Sequence, residues 1–348
     1  MTLLDDPPHG AFTRGAPPSA RRTGTLVIAC HHKTGSNLLI ALLNELAARD
    51  YFPAQVMRGG WDERKLPLSL VLGRYASRPL WYLQTWFEHE IDVPADGIRF
   101  LHFVRHPIKW VRSAYLYHRR GGPSERVSWL KWRVFRLRSC QVSYCEALNS
   151  VSVERGLLIE AVRCYPEILG AARAASSSDH LLDRLRVSLE QFHRDFEPSV
   201  RSVCEFLGLD HPSAHEVTRA MAAHDLSRRR PDELPPNATS SSPEAAGCER
   251  YLAEDPAFHA LYAQPAAQMG FGFEARSLRS ESRLGSSVIG RALEAKEHLL
   301  VHPLSPQGQE LLGQGQLGDH WVACALQSFG QGGHLMMHPF IQQILDEA

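Results

Sequence analysis

An α/β domain of three layers around a central, mostly parallel sheet, followed by a C-terminal extension, is the fold class that the 348-residue sequence predicts. Three observations predict it. Two short apolar runs, at residues 25–30 and 98–104, each end in a polar loop that leads directly into a helix-forming stretch. A third apolar run, at residues 80–87, lies between them and reads as another buried strand. Strands alternating with helices pack as a parallel sheet covered on both faces, with ligands taken at the carboxyl ends of the strands. Both polar loops fall at such ends.

The elements follow in order. Residues 1–24 are rich in Pro, Gly, Ser and Arg and read as a mobile tail. They lack the apolar core of a secretory signal, no later stretch is apolar enough to span a membrane, and the seven scattered cysteines form no CxxC pair or regular framework. A cytoplasmic protein with reduced thiols is the expectation. After the strand at 25–30, residues 38–49 are strong helix formers, apolar on most sides. The strand at 98–104 is followed by Arg105, His106 and Pro107, with Pro107 suited to the first turn of a helix over 108–118. Residues 126–138 mix basic side chains with Trp129, Trp132 and Phe135 and read as an amphipathic helix. From 126 to 224 the chain reads as mostly helical, with one short strand at 185–189 and a helix at 198–207 stopped by Gly208. A loop at 231–242 and a last helical stretch close a domain spanning 25–274, and the Gln-, Gly- and His-rich remainder, 275–348, is an extension.

Charge excludes some functions. Lys plus Arg number 38 and so do Asp plus Glu, so no global field draws nucleic acid or a membrane surface, and an anion site has to be built locally. His320 with Cys324 and His334 with His338 have the i, i+4 spacing of helical zinc ligands, but Gly-rich sequence separates them in a His-rich chain, and no metal is expected.

The loop 30–37 joins a buried strand to a helix start, where unpaired N–H groups and the helix dipole favour an anion. Gly35 allows close backbone approach, Thr34, Ser36 and Asn37 offer side-chain donors, His32 is a further contact, and Lys33 supplies charge. It is not a Walker A loop, because Lys33 precedes Gly35 instead of following the last glycine, and the strand 98–104 ends in Arg105 rather than a magnesium-binding Asp. A small-molecule kinase is thereby disfavoured. The bland alternative is an ordinary turn in which Ser36 or Asn37 caps the helix and Lys33 is solvated. Arg105 is the second anion group, and Ser113 lies eight residues on, two turns inside the helix.

In combination, His32-Lys33-Thr34-Gly35-Ser36 and Arg105-His106-Pro107 to Ser113 resemble the two donor signatures of the sulfotransferase family that uses 3′-phosphoadenosine 5′-phosphosulfate (PAPS). A third, looser similarity runs through Val187 to Phe192 and Val203 to Leu209, where Leu189 and Gln191 depart from the family pattern. The resemblance covers residues 25 to 273 and implies the P-loop-like sulfotransferase fold, with PAPS as donor co-substrate and a small-molecule acceptor. It implies that Lys33 contacts the bridging oxygen, that Thr34, Gly35, Ser36 and Asn37 cradle the 5′ end, and that Arg105 and Ser113 hold the 3′-phosphate. The family's later Arg-Lys-Gly loop has no clean counterpart; Arg228 to Arg230 and Arg250 are the candidates. The acceptor proton needs a base, for which His89, after the strand 80–87, ranks first and Glu45, three turns along the first helix, second. His102 alternates within an apolar strand and reads as core. A non-catalytic nucleotide-binding protein of the same fold is the other reading.

Overall fold

The computed structural model describes residues 25–51, 56–59, 66–74, 81–85, 87–120, 135–137, 140–229, 243–273 and 338–346. The tail at 1–24, Trp129 and Trp132, the loop at 231–242 and the His320–Cys324 pair lie outside the described residues.

The elements are β1 (Leu26–Ala29), α1 (Ser36–Ala48), β2 (Val56–Arg58), α2 (Leu68–Gly73), β3 (Trp81–Gln84), β4 (Arg99–Val104), α3 (Pro107–Arg119), β5 (Phe135–Leu137), β6 (Cys140–Val142), α4 (Tyr144–Ser150), α5 (Val153–Ser177), β7 (Asp183–Ser188), α6 (Leu189–Arg194), α7 (Phe196–Leu207), α8 (His211–Met221), α9 (Pro243–Glu254), α10 (Pro256–Gln268) and α11 (His338–Asp346). Five strands form one parallel sheet in the order β2-β3-β1-β4-β7. Every residue of β1 and β4 is buried, as a parallel sheet covered on both faces requires. On one face Leu26, Ile28 and Phe103 meet Leu39 and Leu42 of α1 and Val203 of α7. On the other, Val27, Ala29 and Phe100 meet Val71 of α2, Phe87 and Ala174 of α5. The three-layer α/β architecture is therefore present.

A third cluster stands beside the sheet, where Trp110 and Tyr115 of α3 pack with Tyr165 of α5, Leu252 of α9 and Tyr262 of α10. Ile341, Ile344 and Leu345 of α11 join this cluster. The end of the extension thus belongs to the core of the domain. Helix α7 ends at Gly208, whose φ of 99° is the left-handed stop that the sequence predicts. The stretch 126–138 departs from expectation: its described end, Phe135–Leu137, is not helical but pairs antiparallel with Cys140–Val142. Phe135 alternates inward there and is buried, so its apolar character serves a period of two instead of 3.6.

Register decides where the loops meet. Ala29 lies opposite His102, so β4 runs two residues past the end of β1 and delivers Arg105 beside the loop that follows β1. Among the described residues no helix is long and apolar enough to cross a membrane.

Candidate functional site

The loop after β1 is shaped from within. The Thr34 hydroxyl accepts from the His31 amide at 2.8 Å and donates to the His31 carbonyl at 2.9 Å, and the side chain is buried. Thr34 therefore closes the turn, and its hydroxyl is turned inward rather than offered to a ligand. Lys33 follows a left-handed backbone, φ 63°, uncommon for a residue with a side chain. Gly35 is the N-cap of α1 at φ 105°, where any Cβ would be strained and would stand 2.9 Å from Leu189 Cδ1. No side chain caps α1. The bland alternative, a helix closed by Ser36 or Asn37, is thus not what forms; Ser36 is half-buried and Asn37 exposed at an open helix start.

Arg105 ties the two loops together. Its Nη1 donates to the Lys33 carbonyl at 2.7 Å, and its Nε lies 3.3 Å from Glu190 Oε1 in a buried ion pair. Glu190 Oε2 also accepts from the His106 amide at 3.2 Å and from the Ser188 hydroxyl at 3.1 Å. Burial works against both charges; Arg105, with Lys109 and His106, outweighs it and holds the Glu190 carboxyl below its usual range. Burial draws Arg105 down, with Glu190 opposing. The His106 ring caps α3 by accepting from the Ile108 amide at 3.2 Å, and Pro107 begins the helix. In the run Arg105-His106-Pro107, one residue crosses to the loop, the next caps the helix and the third starts it.

Lys33 Nζ stands 4.1 Å from the centroid of the Tyr117 ring. Among the described residues it makes no ion pair. Burial lowers its ammonium to about 7, Arg105 adds to the shift, and Glu160 opposes it. The His32 ring lies parallel to that of His118, centroids 5.2 Å apart. His118 Nδ1 is 3.0 and 3.1 Å from the two oxygens of Glu160, which also accepts from Tyr144 at 2.9 Å and pairs with Arg163. Burial would raise the Glu160 carboxyl, but Arg163 and His118 outweigh it and keep the group ionised. His118 itself is drawn down to about 4, chiefly by burial. Beneath the loop His31 Nε2 meets His102 Nε2 at 2.9 Å, both rings buried and held below their ordinary range by burial.

The remaining sequence candidates scatter. Ser113 is buried in α3, and beside it Arg112 pairs with Glu249 of α9. Arg250, the next residue of α9, is exposed. Arg228 is turned to Glu197 and Asp225, and Arg230 lies outside the described residues. His89 is enclosed: its Nδ1 is 2.6 Å from the Leu66 carbonyl, its Nε2 is 3.3 Å from the Tyr82 hydroxyl, and Phe87 packs edge-on. Glu45 pairs with Arg49, which also reaches Glu216 of α8, and it lies roughly 15 Å along α1 from Gly35. The helix axis carries Glu45 away from the loop, whereas His89 lies two residues after Phe87, whose amide donates to the carbonyl of Cys30 at the start of the loop at 3.3 Å. Of the other residues around the loop, Tyr117 and His118 belong to the aromatic run 115–118 that follows Ser113, whereas Glu190 and Glu160 carry no site signal of their own in the sequence. Glu190 was visible only as part of the loosest motif, and Glu160 is indistinguishable in sequence from a solvated helix position. Among the described residues no group of three or more His, Cys, Asp or Glu side chains is placed to hold a metal ion.

No family model matches the chain, and no curated protein matches it. Among solved structures, mouse sulfotransferase SULT7A1 complexed with PAP is matched at 13% sequence identity and a TM-score of 0.30, over 67% of this chain and 85% of that one. At that score the likeness carries no weight for chemistry.

Proposed function

We propose that this chain transfers a sulfuryl group from PAPS to a hydroxyl or amine of a small-molecule acceptor. The observation that carries the reading is the 2.7 Å bond from Arg105 to the Lys33 carbonyl, which joins two sequence-separated anion motifs at the carboxyl ends of adjacent parallel strands. Two features support it: a helix start that no side chain caps, and a lysine ammonium without a carboxylate partner among the described residues. Both favour an anionic ligand.

In this reading the backbone amides from Gly35 to Asn37 hold the 5′ end, and Arg105 with Ser113 grips the 3′-phosphate. Lys33 stabilises the bridging oxygen as it takes the electron pair of the breaking S–O bond, while the acceptor oxygen or nitrogen bonds to sulfur. The acceptor proton needs a base. With the buried His89 ring engaged by the Leu66 carbonyl and the Tyr82 hydroxyl, Glu45 paired with Arg49, and His31 and His118 buried, the role goes to His32, the half-buried imidazole beside Lys33.

Calorimetric titration with 3′-phosphoadenosine 5′-phosphate (PAP) and with ATP plus magnesium tests the donor. PAP is expected to bind at least about tenfold more tightly, and Arg105→Ala to weaken it about 10- to 100-fold, the worth of one charge-assisted contact. A preference for ATP overturns the reading. Once an acceptor is found by mass gain of one sulfate, His32→Gln is expected to lower turnover about 100-fold with donor affinity nearly unchanged. An equal loss in His89→Gln and none in His32→Gln returns the role to His89.

A further inference from the structure

We propose that Tyr117 is a positioning residue for Lys33: its ring face holds the ammonium against the C-terminal half of α3, so that one rigid helix places both the leaving-group cation and Ser113. This rests on the donor reading above and adds to it a residue that neither donor motif contains.

The geometry is that of a docking rail. Ser113 and Tyr117 are four residues apart on α3 and therefore lie on one face, one turn apart. Lys33 Nζ rests over Tyr117 at 4.1 Å, while the preceding loop residue, His32, stacks on the following helix residue, His118. Two consecutive loop residues thus dock on two consecutive helix residues. His118 is fixed from below by both oxygens of Glu160, which Tyr144 and Arg163 fix in turn. Behind the side chain, the bond from Arg105 to the Lys33 carbonyl holds the left-handed backbone.

The charged and titratable groups facing Lys33 come from four elements: His32 from its own loop, Arg105 from the end of β4, His118 and Arg120 from α3 and its end, and Glu160 from α5. Glu160 is the sole anion in that set, and it is already engaged by His118, Tyr144 and Arg163. Among the described residues, the ring of Tyr117 is the face on which the ammonium rests. A lysine side chain has four rotatable bonds, and the ring face attracts its charged form. A face contact of this kind biases the population about 3- to 30-fold. The near-neutral Lys33 agrees with an ammonium kept out of water by its surroundings.

Competitive acylation of Lys33 in the unliganded full chain, from pH about 5 to about 11 with peptide mass readout, tests this without any acceptor. Wild type and Tyr117→Phe are expected to share a midpoint of about 7. In Tyr117→Ala the attraction that favours the ammonium is lost, so the midpoint is expected to fall below about 7, by about 0.5 to 1.5 units for a contact of this strength. Labelling below pH about 7 then rises about tenfold for each unit of fall. An Ala midpoint that stays put or climbs overturns the proposal, as does a Phe variant that behaves like Ala. Tyr117 is half-buried, and should its Ala variant fail to melt cooperatively, Tyr117→Leu is read in the same way, with the same fall expected. Protection of wild-type Lys33 by PAP reads the donor assignment separately: no protection alongside a lowered Ala midpoint removes the donor and leaves the role of Tyr117 standing.

Discussion

At the scale of single residues the site is a small set of charges, each with a restraint. Arg105 is fixed by Glu190 and by a carbonyl, His118 by Glu160, and Lys33 by an aromatic face and a strained backbone. One consequence concerns pH. Unliganded Lys33 titrates at about 7, and an anion against it raises that value. Below about 7 the ammonium is already formed and donor affinity is flat; above it, binding requires proton uptake and the affinity falls, up to tenfold per unit. Calorimetry at pH 8 in buffers of different ionisation enthalpy is expected to show uptake of close to one proton in wild type and none from this group in Lys33→Ala. The sign for stability is opposite. Between about 7 and 10.5 the unfolded chain carries the extra proton, so this group makes the unliganded protein more stable as pH rises through that window.

At the scale of elements, the working unit is strand, loop and helix, used twice side by side. Position 35 tests it: φ of 105° and the closeness of Leu189 both disfavour a side chain. Gly35→Ala is expected to cost about 1–2 kcal/mol in urea unfolding and to weaken PAP binding as well, because the turn that opens the helix start is the one that is strained. A loss of stability with unchanged affinity would separate the turn from the site. The strand and helix pattern here was legible because Val, Ile and Leu runs are bounded by polar loops and Gly or Pro stops. The loop's internal bonds were not legible: Thr34 reads as a ligand donor until its hydroxyl is seen spent on His31. The end of the stretch 126–138, expected as an amphipathic helix, is a strand at Phe135–Leu137 for a related reason, since among mixed aromatic and basic residues the period is set by what the chain packs on.

At the scale of the whole molecule, three clusters share the core, and the extension contributes to one of them. Ile341 is fully buried beside α5 and β5. Ile341→Ala is therefore expected to cost about 2–4 kcal/mol, read as a lower urea midpoint, whereas an independent tail would leave the midpoint unchanged. The sequence by itself determined the α/β class and the two strand-to-helix loops that carry Lys33 and Arg105, because hydrophobic period, helix-start chemistry and spacing are local properties of the chain. Only the tertiary structure decided that those loops touch, that Glu190 and Tyr117 contact them, and that His89 and Glu45 are engaged by other groups. Those facts depend on sheet register and on which face of a helix is buried, and both are settled by contacts between residues far apart in sequence.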